Sequence, residues 1–489
     1  MVTATCPTPP TAADAGKAPE IPTGGDMTAG RHPLPVVTAA HGGPARLQPH
    51  LDYELVLDCV HCGLCTASCP TYVETGHEAD SPRGRIYLMR QVLDGVLPWD
   101  ADVERHLDLC LNCRACETAC PSGVQYGRIL EPFRLAIAER FPGRAVRTLT
   151  PWQRWLLFHV FPYRWRNRLL LAPARLLQWT GLDALLERLG LVRLLPRSLQ
   201  TMRTMLPSLE PHYGKLPEVL EPLGPRRAKV ALFLGCVADA LYPQTNYATA
   251  RVLQANGCEV WIPPGQTCCG ALHYHAAEEA AAQQFAAANC LAFGADQTDR
   301  FAELDAIITN AAGCGAQLKD YAHLMHHTPW ADAAARFQSK VRDVHEFLAE
   351  LGLRPPRYPL PLRATYHDAC HLRHAQQIAR PPRALLEQIP QLELVPLPES
   401  ELCCGAAGSY NLTQPEMAAR LGDRKAQRIL ATGAQAVFTG NVGCLLQITR
   451  HLRAAAASPW IAHPLDALWI AYSGDYPQSL APLLAPSRS

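Results

Sequence analysis

The chain has 489 residues, more than one hydrophobic core usually supports, so we expect two or more domains. Its formal net charge is +1, and this balance of acids and bases argues against a general nucleic-acid binder, which needs a strongly basic surface. The hydrophobic fraction of 48% is typical of a folded globular protein, whereas 19 cysteines are many more than such a protein usually carries.

The N-terminal sequence indicates a protein that is not exported. The stretch "MVTATCPTPPTAADAG" lacks the basic start and apolar core of a signal peptide. No uncharged apolar run approaches the roughly 20 residues that a membrane span needs. We therefore expect a cytoplasmic protein, free or peripheral on the inner face of the cytoplasmic membrane, whose cysteines stay reduced and serve metal or redox chemistry.

Composition divides the first half of the chain into three predicted segments. Residues 1–48 read as a disordered Pro- and Ala-rich extension, in which either Met1 or Met27 can be the start. Residues 49–147 hold two cysteine motifs separated by helix-like stretches. Residues 148–226 form a helical linker rich in Trp and Arg, which we expect to lie on a membrane surface or to pack on protein. Its helical amphipathicity should be broken by Pro162 and Pro173.

The segment 49–147 contains one four-cysteine motif twice, as "CVHCGLCTASCP" and "CLNCRACETACP", offset by 51 residues. The pattern C-x2-C-x2-C-x3-C-P is the bacterial ferredoxin run, in which three cysteines hold one [4Fe–4S] cluster and the fourth ligates the other cluster. A pair of zinc sites is the alternative, but zinc does not require the third and fourth cysteines or the proline. The predicted ligands are Cys59, Cys62, Cys65 and Cys120 for one cluster, and Cys110, Cys113, Cys116 and Cys69 for the other.

The rest of the chain alternates apolar strands with helices and is internally duplicated, which predicts two α/β domains at 227–358 and 359–475, followed by a tail at 476–489. Matched cysteines lie at offsets of 134, 135, 135 and 130 residues, with a Cys-Cys-Gly sequence in each half. They are Cys236, Cys268, Cys269 and Cys314 in the first half, and Cys370, Cys403, Cys404 and Cys444 in the second.

Each of these cysteines follows a strand-like run, so the carboxyl ends of the strands should bring four thiolates together in each half. The glycine after each Cys-Cys pair allows close backbone approach, and a helix starting there would favour the negative charge of a cluster. Such cysteines can also be ordinary core residues, which is what we expect of Cys258 and Cys290. Cys6 lies in the extension and needs no role.

These motifs resemble the iron–sulfur subunits of bacterial glycolate oxidase, through "CVHCGLCTASCPTYVETGHEADSPRGRIYLM", "HLDLCLNCRACETACPSGVQYG", "CCGALHYH", "GCGAQLKDY", "LCCGAAGSYNLTQPE" and "NVGC". The resemblance implies a multi-domain α plus α/β protein, with a mostly helical two-cluster ferredoxin domain followed by two Cys-Cys-Gly domains. It also implies a chain without FAD that passes electrons from flavoprotein partners, which oxidise glycolate to glyoxylate, towards a quinone. One or two further clusters would lie in the Cys-Cys-Gly domains.

More distant resemblances leave alternatives open. Iron–sulfur subunits of lactate and glycerol-3-phosphate dehydrogenases share the pattern, and so does heterodisulfide reductase, a thiol–disulfide reductase. In that last family each motif ends in a CxxC pair whose first cysteine is here Ala311 or Asn441, which makes direct disulfide reduction a weaker hypothesis. A metal-stapled assembly protein without redox activity is the remaining class.

Five histidines lie beside the Cys-Cys-Gly cysteines and could tune or ligate a metal, although such histidines are more often local hydrogen-bond partners. They are His273, His275, His367, His371 and His374.

Overall fold

The structure, a computed structural model, describes residues 52–140, 150–190, 216–296, 298–477 and 480–484, with single positions at 192, 203, 206, 207 and 209. The predicted extension at 1–48 lies outside these residues, as does Cys6. Within the described part of the chain, no helix combines the length and the apolar character that crossing a bilayer requires.

Residues 52–140 are helical except where the cysteine loops run. Local signals set the helix starts: the Ser81 hydroxyl accepts a hydrogen bond from the Gly84 N–H at 3.0 Å, and Pro82 occupies the first helical position. Buried apolar side chains such as Met89, Ile129 and Phe133 join these helices in one core. The helices are Glu54–Leu57, Pro70–Thr75, Glu78–Asp80, Pro82–Leu93, Ala101–Asp108, Ala115–Thr118 and Tyr126–Arg140.

The Trp/Arg segment is also helical, and one expectation about it was wrong. The helix Arg164–Trp179 runs through Pro173 without a break, so this proline does not interrupt its periodicity. A proline removes only one N–H, and the carbonyl left without a partner, that of Leu169, belongs to an exposed residue that water can reach. The helices here are Pro151–Trp155, Leu156–Val160, Arg164–Trp179 and Leu182–Arg188.

The first α/β unit has a five-stranded sheet in the order β1-β3-β2-β4-β5. All neighbouring strands are parallel except the short edge strand β1, which pairs antiparallel with β3. The strands are β1 Val219–Leu220, β2 Ala228–Phe233, β3 Cys258–Trp261, β4 Ala306–Thr309 and β5 Val341–Asp343. The helices are Val237–Leu241, Pro243–Ala255, Ala271–His275, Glu279–Phe293, Asp299–Ala302, Ala312–Leu318, Tyr321–Leu324, Ala331–Lys340 and Val344–Leu351.

The second unit has a parallel four-stranded sheet in the order β7-β6-β8-β9, which repeats the order β3-β2-β4-β5 of the first. The strands are β6 Arg363–Tyr366, β7 Glu393–Val395, β8 Ala436–Phe438 and β9 Trp460–Ala462. The helices are His371–Ala375, Pro381–Leu386, Tyr410–Thr413, Pro415–Ala431, Val442–Ala454, Pro464–Ser473 and Ala481–Leu484.

One apolar core joins the two units. It contains Val230 and Leu232 from the first sheet together with Tyr366 and Phe438 from the second, all almost fully buried. The helices Pro243–Ala255 and Pro464–Ser473 pack against each other within it. This shared core fixes the duplicated units relative to each other, and with them the two sets of cysteines.

The predicted fold class, helical domain plus duplicated α/β units, is confirmed. All six strand-like runs that precede the cysteines contain a strand that ends before its cysteine. The sequence did not predict β1, β5 or β9, which are only two or three residues long. The residue boundaries predicted for the segments stay predictions.

Candidate metal centres

The two four-cysteine loops share one backbone conformation. The second and fourth residues after the first cysteine have positive φ in both loops: 53° at His61 and 85° at Gly63, 50° at Asn112 and 58° at Arg114. Three of these residues are not glycine, and at each of the three the left-handed backbone conformation destabilises the fold by about 1–2 kcal/mol. Strain of this kind persists where a loop is shaped around a ligand.

The fourth cysteine of the first motif lies with the first three of the second motif. Cys69, Cys110, Cys113 and Cys116 line one small cavity, together with Arg85 and Tyr126. Burial raises the pKa of Cys116, and the nearby charges of Cys113, Cys110 and Cys69 raise it further. The structure thus brings together the four residues predicted for the second cluster.

The other four cysteines of these motifs also converge. Burial raises the pKa of Cys59, and the charges of Cys120 and Cys62 add to that rise. Burial likewise raises the pKa of Cys65, with a further contribution from the charge of Cys59. Among the cysteines that the structure describes, Cys62 alone is exposed. Solvent therefore reaches this site at the Cys62 thiol.

Arg85 is a site residue that the sequence reasoning missed. Its side chain is only 1% exposed and donates to the His106 carbonyl at 2.7 Å and to the Thr71 hydroxyl at 3.0 Å. Its third contact is to Cys69 Sγ at 3.8 Å. A buried guanidinium needs negative charge nearby, and a set of thiolates provides it. An arginine on the core-facing side of a helix was the signal available in the sequence.

The first Cys-Cys-Gly site gathers its four thiols at the carboxyl ends of β2, β3 and β4. Cys236 Sγ lies 3.4 Å from Cys268 Sγ, and the Gly270 N–H donates to Cys268 Sγ at 3.4 Å. A hydrogen bond with Cys268 lowers the pKa of Cys269, but a hydrogen bond with Cys314 and burial together raise it well above its usual range. The predicted convergence of these cysteines is what the structure shows.

The second Cys-Cys-Gly site is built in the same way beyond β6, β7 and β8. Hydrogen bonds with Cys403 and then Cys444 hold the pKa of Cys404 well below its usual range. Hydrogen bonds with Cys370 and Cys404 raise the pKa of Cys403. The thiols thus share one proton network in a buried site. Metal ions remove such protons and satisfy all the sulfur atoms at once, so the donor set fits an iron–sulfur cluster.

A cavity of about 470 Å³ lies between the two Cys-Cys-Gly sites and is lined by all eight of their cysteines. The first half reaches it through Ala311 and Gly313, and the second through Asn441. Here the Gly313 N–H donates to Asn441 Oδ1 at 3.3 Å, and the Ala312 N–H donates to the Gly440 carbonyl at 3.1 Å. Asn441, which stands where a related family has cysteine, therefore joins the two halves.

Three of the five predicted histidines make structural hydrogen bonds. His275 Nδ1 lies 2.6 Å from Glu131, and His371 Nε2 lies 3.1 Å from the Asn112 carbonyl. His374 contacts the Thr118 hydroxyl at 3.0 Å and the Glu401 carbonyl at 3.3 Å. These contacts attach the cysteine-motif domain to the α/β units.

The remaining two predicted histidines pack differently. His273 packs against the rings of Phe158 and Phe285 in tilted arrangements, with ring centroids 5.0 Å and 5.2 Å apart. His367 lies beside Cys404 and Cys444.

Glu131 is a second residue that the sequence did not reveal. It is 4% exposed and accepts hydrogen bonds from His275 and from the Asn112 side chain. Burial raises its pKa, but His275 and then Arg114 outweigh burial and hold the pKa at about 2. Glu131 is therefore an anion at neutral pH, and it links the second cysteine loop to the first Cys-Cys-Gly unit.

The two other described cysteines are not part of these sites. Cys258 and Cys290 are fully buried, and burial raises the pKa of each to about 12. They remain protonated at neutral pH, in agreement with their predicted place in the core.

Comparison with known proteins assigns each part of this architecture. A 4Fe-4S dicluster domain matches residues 55–124, and a cysteine-rich domain matches twice, at 230–319 and 364–449. The linker region of the glycolate oxidase iron-sulfur subunit matches residues 150–206.

Curated relatives match over most of the chain. A probable glycolate oxidase iron-sulfur subunit from Bacillus subtilis is 41% identical over 81% of this chain and 89% of its own length. The chain belongs to the glycolate oxidase iron–sulfur subunit family. The corresponding Escherichia coli subunit is 34% identical over 79% of this chain and 88% of its own length.

Other similarities are more partial or more distant. Lactate utilization protein A from Geobacillus thermodenitrificans is 33% identical over 45% of this chain and 90% of its own length. Among solved structures, a hypothetical protein from Helicobacter pylori covers 89% of this chain and 78% of its own length, with a TM-score of 0.47 and 9% identity.

Membership of the glycolate oxidase iron–sulfur subunit family confirms the resemblance inferred from the motifs. It also supports iron–sulfur clusters and an electron-transfer role. The ligand assigned to each iron, and the number of clusters, stay predictions.

A helix was expected to start directly after the glycine of each Cys-Cys-Gly sequence, and this is found in only one half. A helix begins directly after Gly270, but residues 407–409 form a turn after Gly405 and the next helix begins at Tyr410. The two glycines nevertheless share a φ of 85°. A side chain there would meet backbone, at 3.2 Å from Ala282 Cα in the first half and 2.8 Å from the Ala418 carbonyl oxygen in the second.

The substitution Gly405→Ala should lower the free energy of unfolding by about 3 kcal/mol, because left-handed strain and a backbone clash add. Gly433→Ala is the matched control, since its φ is 64° but no atom lies within 4 Å of the added carbon. The control should cost about 1 kcal/mol. Urea unfolding of both variants measures this, and equal losses would contradict the close approach at Gly405.

Proposed function

We propose that this chain is the electron-transfer subunit of a glycolate oxidase complex. A partner flavoprotein would oxidise glycolate to glyoxylate, releasing two electrons and two protons. This chain would accept the electrons one at a time and pass them towards a quinone. A cytoplasmic location, peripheral to the inner face of the cytoplasmic membrane, belongs to the same proposal because the quinone is in that membrane.

The observation that carries this proposal is the contact between the two kinds of cysteine site. Cys113 and Cys403 belong to one buried apolar cluster, and Cys370 packs against it. After burial, the charge of Cys370 is the largest influence that raises the pKa of Cys113. The Tyr410 hydroxyl donates to the Leu109 carbonyl at 2.8 Å and holds this junction together. Adjacent thiolate sites of this kind form a continuous path for single electrons.

The sulfur atoms of the two motifs would hold two [4Fe–4S] clusters, which supply one-electron redox chemistry when bound. Cys59, Cys62, Cys65 and Cys120 would hold one cluster, and Cys110, Cys113, Cys116 and Cys69 the other. The two Cys-Cys-Gly sites would hold further clusters. Arg85 stabilises extra negative charge at the Cys69 site, which makes reduction there easier. We expect electrons from the flavoprotein to enter at Cys62, because it is exposed.

A surface suited to binding this partner lies on the helix Arg164–Trp179. Five apolar residues at spacings of four, three, four and three form one exposed stripe: Trp165, Leu169, Ala172, Leu176 and Trp179. The exposure is large, at 63% for Trp165, 68% for Leu169 and 67% for Trp179. We call these five residues the apolar stripe. An exposed apolar surface of this kind usually marks an interaction site.

Three of the four arginines of the same helix contact the first α/β unit and not the stripe. Arg168 pairs with Asp239 at 2.8 Å, while Arg164 and Arg175 donate to the carbonyls of Gln266 and Ala240, each at 2.7 Å. A helix that lies on an anionic membrane needs its cations free for headgroups. Here three of the four bind the first α/β unit instead, and Arg166 lies over the ring of Trp165, 5.2 Å from its centroid. We therefore assign the apolar stripe to the flavoprotein subunit rather than to lipid.

The function is tested by co-expressing the chain with flavoprotein partners and purifying the complex without oxygen. We expect iron and acid-labile sulfide in equal amounts, and cluster electron paramagnetic resonance (EPR) signals that develop when glycolate is added. Cys116→Ser should remove one cluster's share of iron and sulfide, whereas Cys258→Ser should not. Zinc without sulfide would contradict the relay. Reduction by lactate or glycerol-3-phosphate but not by glycolate would contradict the substrate.

The double substitution Leu169→Ser and Leu176→Ser should abolish co-purification of the flavoprotein, because it removes the apolar contact without touching a cysteine. Cluster content should be unchanged. The control is Leu291→Ser with Leu430→Ser, two leucines that are 58% and 44% exposed elsewhere on the surface. If the stripe variant kept its flavoprotein but was released from membrane vesicles, the stripe would be a lipid contact and this assignment would be wrong.

A further inference from the structure

His367 differs from the other histidines near the cysteine sites. It follows β6 directly, and its backbone N–H donates to the Phe438 carbonyl at 2.9 Å, which fixes its position in the sheet. The residue is fully buried, and neither ring nitrogen lies within ordinary hydrogen-bond distance of a partner among the described residues, although the ring is close enough to Cys404 to lower the pKa of that thiol. Leaving a buried polar group unsatisfied destabilises the fold. A bound group that engages the imidazole would remove this destabilisation.

The atoms around the His367 ring indicate that the bound group is a metal. One of its nitrogens, Cys404 Sγ and Cys444 Sγ all lie within 4.8 Å of one another, and the three side chains are buried. This spacing allows all three atoms to ligate one metal ion or neighbouring iron atoms of one cluster. Imidazole and thiolate together suit iron and zinc among the metals that proteins use.

The duplication shows that this histidine belongs to one half only. His367 lies three residues before Cys370, and Phe233 lies three residues before Cys236, also at the end of a strand. Phe233 is 1% exposed, so an aromatic ring of similar size fills the same place in the first unit. A phenyl ring cannot ligate a metal. The first site therefore offers thiolates only, whereas the second offers thiolates and an imidazole.

We propose that His367 is an iron ligand of the second Cys-Cys-Gly site, which makes that site a mixed thiolate–imidazole centre of higher potential than the first. This inference rests on the proposed function, in which both sites hold clusters. With His367 bound to iron in place of one of the four thiolates, the centre carries less negative charge, and histidine ligation of this kind raises the potential of iron–sulfur centres. The second site is then reduced at a higher potential than the first, so the two halves of the duplicated fold differ in their redox properties.

The test uses the full chain, purified without oxygen from cells fed with ¹⁵N-histidine. Pulsed EPR in the paramagnetic state of the cluster should show the nitrogen coupling of a directly bound imidazole. The substitution His367→Phe, which copies the first half, should abolish that coupling. His451→Gln is the control, because His451 is also buried but has partners in Asp423 at 2.7 Å and Gln447 at 3.2 Å. The coupling should survive in this control.

A second variant guards against loss of the cluster in His367→Phe. His367→Cys keeps a ligand, so it should retain iron and sulfide, lose the nitrogen coupling and shift one midpoint potential downwards. If the parent protein held full iron and sulfide but showed no imidazole coupling, this inference would be wrong while the proposed clusters would stand. A coupling that persists in His367→Phe would do the same. Iron no greater than the two ferredoxin-type clusters require would overturn both this inference and the proposed clusters of the Cys-Cys-Gly units.

Discussion

Mutual repulsion between closely spaced thiolates is the constraint on which this structure depends. Sixteen of the 19 cysteines lie in four groups, half of them buried, and so many negative charges cannot be held together without positive charge. Iron provides that charge when bound, and the protein contributes the rest. Arg85 places a buried cation at one group, and the Gly270 N–H points at a sulfur of another. Even Glu131, an anion, is positioned by His275 and Arg114 rather than by the thiols.

Duplication of one α/β fold produces two similar groups of thiols, and sequence divergence then makes the two groups chemically different. In each α/β unit, three parallel strands end at one edge, so a single fold delivers four thiols there. The two halves differ in sequence at the contact between them and beside their cysteine sites. Asn441 now joins the two units, and His367 stands where the first unit has Phe233. In the proposed relay, similar sites with unequal potentials would give electron transfer a direction.

Much of this could be predicted from the sequence, because cysteine spacing and strand patterns are local. The motif loops, the exchange of Cys69 and Cys120 between them, and the strands before each cysteine all follow from short stretches. Long-range contacts do not. The sequence places Arg85 on the core-facing side of a helix but does not show its contact with Cys69, and the pairing of Glu131 with His275 spans 144 residues. Pro173 was expected to break a helix, but a helix edge open to water tolerates the lost hydrogen bond.

The central claim is that the ferredoxin-type sites and the Cys-Cys-Gly sites form one continuous path through the contact of Cys113 with Cys370 and Cys403. The most direct measurement is the EPR spectrum of the fully reduced full-length chain, compared with that of a partly reduced sample. We predict that full reduction broadens and splits the signals, because neighbouring paramagnetic clusters interact magnetically. Signals that simply add, as from isolated clusters, would contradict the account.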